Sequence, residues 1–92
     1  MPTSTEARIV VEIEDITAPA TFSRLSDALA ALWASLRELP LGWQQHEAYR
    51  YFLGEGAEQR VEDHLARGEM VLSFAMAGRS HLVRVRREKP VA

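Results

Sequence analysis

The chain is predicted to be an α+β protein, a small antiparallel or mixed sheet with two or three helices packed on one face, and three features of the sequence predict it. Apolar and polar residues alternate with period two in one segment near the start and in two adjoining segments near the end. Between them, apolar residues recur at three-and-four spacing through a long central stretch. Glycine and proline separate these stretches rather than interrupting them. The predicted order is strand, helix, a segment that is helix or strand, helix, strand, strand, all within one domain spanning 1–92 with an ordered core over about 7–88.

In the first strand, Ala7 to Ile16, Ile9, Val11 and Ile13 lie on one side and Arg8, Val10, Glu12 and Glu14 on the other. Thr17, Ala18 and Pro19 are expected to break it, with the proline in the first turn of a helix, where no N–H is needed. That helix is predicted from Ala20 to Leu39, with Phe22, Leu25, Leu29, Leu32, Trp33, Leu36 and Leu39 forming its apolar stripe and Pro40 ending it. Residues 43–53 carry helix formers first and Tyr49, Arg50, Tyr51, Phe52 and Leu53 afterwards. The four-residue pairs Ala48/Phe52 and Tyr49/Leu53 favour a short helix, and a strand stays open.

After Gly54 and Gly56, a second amphipathic helix is predicted from Ala57 to Arg67, with Ala57, Val61, His64 and Leu65 inward and Gly68 closing it. Met70, Leu72, Phe74 and Met76 alternate with Val71, Ser73 and Ala75. A turn follows at Ala77 to Ser80, and His81 to Arg87 alternates again, which reads as a β-hairpin. Pairing the first strand with the last would set Glu12 and Glu14 against Arg84 and Arg86, each such pair contributing about 0.2–1 kcal/mol.

Composition limits the chemistry. With no cysteine, disulfides, thiolate nucleophiles and Cys-based zinc sites are excluded, and no oxidising compartment is needed. No run approaches the roughly 18 apolar residues of a membrane span, and the N-terminus lacks the pattern of a signal peptide, so a cytoplasmic protein without a membrane partner is expected. His46-Glu47-Ala48-Tyr49-Arg50 opens like a two-histidine zinc helix, but the position of the second ligand holds a cation. Gly54-Glu55-Gly56 lacks the third glycine and the lysine of a phosphate loop, and its acid would repel phosphate. Carboxylate pairs such as Glu12/Glu14 and Glu62/Asp63 read as solvated faces. No catalytic residue, metal or cofactor is assigned, and an enzyme is not the expected reading.

Two binding readings follow. Trp43, Tyr49, Arg50, Tyr51 and Phe52 combine aromatic rings with arginine, a mixture enriched at protein interfaces, and suggest a non-enzymatic interaction or regulatory module with a protein partner or self-association. The alternative is a winged-helix-like DNA-binding protein, with the helix over 57–67 for recognition and the hairpin over 70–87 as the wing. Its contacts, to nucleic acid or another acidic partner, would be Arg60, Arg79, His81, Arg84, Arg86 and Arg87. A net charge of -2 and the acids on the recognition helix speak against that alternative, and a strand at 47–53 would remove it.

Overall fold

The computed structural model describes residues 8–88. Four strands form one antiparallel sheet: β1 Arg8–Ile13, β2 Thr17–Phe22, β3 Met70–Met76 and β4 Arg79–Glu88, in spatial order β2-β1-β4-β3. Three helices lie between β2 and β3 in the chain: α1 Leu25–Leu36, α2 Trp43–Phe52 and α3 Ala57–Leu65. The fold is the expected small α+β arrangement, and residues 43–52 take the helical alternative. No helix among the described residues is long and apolar enough to cross a membrane.

The core follows from the two periodicities. Ile9, Val11 and Ile13 of β1, Val83 and Val85 of β4, and Met70 and Phe74 of β3 share one sheet face, because residues paired across antiparallel strands point the same way. Against that face lie Leu25, Ala28, Leu29, Leu32 and Leu36 of α1 and Ala57, Val61 and Leu65 of α3. The other face carries Glu12, Arg84 and Arg86 around Val10, which is buried there outside the main core. The hairpin between β3 and β4 turns through Ala77 and Gly78, both with positive φ, the requirement of a two-residue turn that matches strand twist.

The second strand corrects the expectation of a break and a helix start. Residues 17–22 pair with β1, the chain reversing through Asp15 at φ 65. Between Val11/Ala20 and Ile13/Thr17, β2 holds one residue more than β1, and Pro19 lies in that bulge on an edge strand. Both are positions that tolerate a missing N–H. Phe22 thus packs on the core from a strand rather than from a helical stripe. Helix α1 starts five residues later than predicted and ends at Leu36, three short of Leu39. The amides of Glu38 and Leu39 instead bond to the carbonyls of Ser35 and Leu36 in a tightened last turn. Helix α3 likewise stops at Leu65, and His64 is exposed instead of inward, its ring edge-on to Phe52 at 6.3 Å.

The register of β1 against β4 also differs in detail. Glu12 stands opposite Arg84 as expected, but Arg86 faces Val10. Charge alternation alone does not choose between registers two residues apart, since both keep the same faces inward. In the register adopted, Ile13 pairs with Val83, and the Glu14 backbone N–H donates to the Leu82 carbonyl at 2.8 Å. The nearest acids to the two arginines are Glu69, 3.7 Å from Arg84, and Glu88, 4.0 Å from Arg86.

Candidate interaction surface

Helix α2 has two unlike sides. Its inner side closes the edge of β3. The Gln45 side-chain amide donates to the Ala75 carbonyl at 2.8 Å and accepts from the Ala75 N–H at 2.8 Å, taking the place of one residue of a neighbouring strand. The same amide donates to the Leu41 carbonyl at 2.6 Å, and one turn on the Tyr49 hydroxyl donates to the Ser73 carbonyl at 2.6 Å. The His46 ring N–H donates to the Leu39 carbonyl at 3.0 Å, tying the helix to the end of α1. An open β-edge invites pairing with another chain, and α2 uses side chains to occupy part of this one.

Burial pushes the Tyr49 hydroxyl above the ordinary tyrosine value of 10.0. The sign of its effect on stability follows. Below pH 10.0 both states keep the proton; above it the unfolded chain releases the proton first, so folding stability falls as pH rises. Tyr49→Phe is expected to cost about 1 kcal/mol at neutral pH, through the unpaired Ser73 carbonyl, and to remove this part of the alkaline decline. Urea midpoints of the two proteins measured at neutral and alkaline pH check this, and a decline equally steep in the variant would contradict it.

The junction to α3 is held by one side chain. Arg60 donates to the carbonyls of Tyr51 at 3.0 Å, Phe52 at 2.8 and 3.2 Å, and Glu55 at 2.8 Å, so it bonds the Phe52 carbonyl at the end of α2, supplements the Gly54 N–H on that of Tyr51 and ties both to the following junction. Its guanidinium also lies 5.6 Å from the ring centroids of both Tyr51 and Phe52. Gly56, at φ +79, permits this path: a Cβ there would lie 3.1 Å from an Arg60 nitrogen and would strain the backbone as well.

The outer side of α2 is different. Trp43 is 75% exposed and Tyr51 80% exposed, the largest aromatic exposures among the described residues. Between them, Arg50 bonds Glu47 through two nitrogens at 2.9 and 3.3 Å. The arginine holds the Glu47 carboxyl below its usual range, and Glu47 in turn raises Arg50. Of the five residues proposed for a protein interface, Trp43, Arg50 and Tyr51 therefore share an outward stripe, while Tyr49 is buried and Phe52 half-buried on the inner side.

The six basic positions proposed for an acidic partner are spread over the molecule. Arg84 and Arg86 occupy the sheet face away from the helices, whereas His81 and Arg87 lie on the helix-facing side. Arg87 grips Glu62 of α3 with two bonds of 2.6 and 2.8 Å. His81 is buried, stacked on Phe74 at 5.3 Å between centroids, with its Nδ1–H donating to the Glu14 carbonyl at 3.3 Å. Arg79 is exposed at the hairpin turn, and Arg60 is committed to carbonyls in the helical layer.

Residue-type reasoning missed Gln45, whose polar side chain gives no sign that it completes a sheet edge 30 residues away. An open depression of about 400 Å³ lies between α1 and the start of α3, walled by Leu29, Trp33, Leu53, Gly54 and Ala57. Among the described residues, no group of three His, Asp or Glu side chains is placed to hold a metal ion.

Fold and surface together define a small α+β protein whose helical layer presents an aromatic stripe on α2. Comparison with protein-family models, curated proteins and solved structures finds no match.

Proposed function

We propose that this chain is a non-enzymatic protein-interaction module that presents Trp43, Arg50 and Tyr51 on the outer side of α2. The observation that carries the reading is the contrast between the two sides of this helix. Gln45 and Tyr49 anchor one side to β3, while the other exposes two large aromatic side chains to water. Exposed aromatics on a rigid helix contribute little to folding and much to an interface, where each such ring buries on the order of 150–250 Å² with little loss of conformational freedom. The cytoplasm is the compartment this reading assumes, since a cysteine-free chain needs no oxidising one.

The test is capture of partners from cells by the tagged chain and by its Trp43→Ala, Tyr51→Ala variant. Loss of capture with a thermal midpoint changed by only a few degrees is the expected outcome. Undiminished capture by the variant overturns the proposal.

A DNA-binding role is the second reading, favoured by one observation: α2, a turn, α3 and a hairpin follow one another as a winged helix requires. Against it stand Glu58, Glu62 and Asp63 on α3 and the internal use of Arg60. Fluorescence anisotropy with a labelled mixed-sequence duplex separates the two readings. A salt-dependent rise in anisotropy, lost on Arg79→Glu with Arg84→Glu, would favour DNA.

A further inference from the structure

We propose that α2 is a guard on the edge of β3, and that removing it turns this edge into a pairing site for β3 of a second copy of the chain. The inference goes beyond the outer stripe of α2 and uses only its inner side.

The sheet has two edges, β2 and β3, and only one of them is defended by its own sequence. β2 carries Pro19 and a bulge, both of which obstruct a further strand. β3, Met-Val-Leu-Ser-Phe-Ala-Met, has no charge, no proline and no glycine in its seven residues. Such a strand pairs readily with a copy of itself where its edge is open, and two antiparallel copies oppose no like charges. The defence comes from α2 instead. Gln45 bonds both the N–H and the C=O of Ala75, and Tyr49 bonds the C=O of Ser73. These groups therefore point away from β4, and by the alternation of an antiparallel strand so do the Ser73 N–H and both backbone groups of Val71. The Gln45 amide reproduces the donor and acceptor that one residue of a fifth strand would offer, so the helix and an incoming strand compete for the same backbone groups. Val71, beyond the part that α2 covers, is where that strand would meet the edge first, and it is 46% exposed on the sheet face away from the helices. The guard is lightly held: of the ten residues of α2, only Tyr49 is buried.

The test removes the guard from the full chain. In Gln45→Ala with Tyr49→Phe, the phenyl ring keeps its buried place while the side-chain bonds to Ala75 and Ser73 are lost. Sedimentation equilibrium from micromolar to near-millimolar concentration should show self-association about tenfold or more tighter than in the parent chain. Adding Val71→Lys should abolish it by setting cations on the edge, whereas Thr21→Lys on β2 should leave it unchanged. Amide exchange at Ala75 gives a second readout. It should be faster than in the parent at low concentration, where the Gln45 acceptor is missing, and should slow as concentration rises and β3 pairs. Gln45→Ala alone leaves Tyr49 in the core and should show the same changes more weakly, and it decides the matter if the double variant fails to fold. A folded variant that sediments as the parent does overturns the proposal. So does an association that Trp43→Ala removes and Val71→Lys leaves untouched.

Discussion

Leu32→Ala is expected to cost about 2–5 kcal/mol and to lower the thermal midpoint by more than about 10 °C. Leu32 is 1% exposed, in the middle of α1, where the helix packs over β1 and β2 beside Val11 and Ile13. Truncation removes apolar surface from the core and leaves a cavity that a sheet and a helix, both held by their own backbone bonds, collapse into only partly. For a chain of this size the total stability is on the order of 5–15 kcal/mol, so the loss would remove a large share of it. Urea denaturation followed by circular dichroism measures the difference. A loss under about 1 kcal/mol would mean that α1 packs on the sheet less tightly than its burial indicates.

Arg60→Ala is expected to cost roughly 1.5–3 kcal/mol, because a cationic donor shared among the carbonyls of Tyr51, Phe52 and Glu55 is removed, leaving the Tyr51 carbonyl with the Gly54 N–H alone and the other two to water. Arg60→Lys should recover little of it. A single ammonium is a point charge on a flexible stem, whereas the planar guanidinium reaches three carbonyls at once. The effect is local, and hydrogen exchange is its most direct readout: the amides of Leu53 and Gly54, bonded to the carbonyls of Tyr49 and Tyr51, should exchange faster in the alanine variant. Full stability in the lysine variant would show that charge alone, rather than the fork, holds the junction.

These two residues also mark the boundary between what the sequence discloses and what it does not. Leu32 is legible because it sits on a helical stripe with Leu25, Leu29 and Leu36, and periodicity reports which side of an element meets the core. The same logic reads β1, β3, β4 and Ala57, Val61 and Leu65 of α3, but it also turned inward His64, which is exposed. Arg60 is not legible. Its partners are backbone carbonyls five, eight and nine residues back, which carry no residue identity, so its side chain reads as a surface cation. The outward stripe of α2 was half legible. The aromatic and arginine composition drew attention to residues 43–53, but composition does not separate Trp43 and Tyr51, which face water, from Tyr49, which is buried against β3.

By itself the sequence determined the class of fold, the order of its main elements and the residues of its core, because burial imposes a period on each strand and helix that survives in the order of residues. Tertiary structure decided the rest. The edge strand β2, Thr-Ala-Pro-Ala-Thr-Phe, has no alternation to announce it and is mostly exposed; it exists because β1 offers it a ladder of backbone groups. The register of β1 on β4 turned on which side chains meet rather than on which face they share. The dispersal of the basic residues over two sides of the sheet, and the gathering of Trp43, Arg50 and Tyr51 on one, are properties of directions in space, which a one-dimensional order of residues leaves open until the chain has packed.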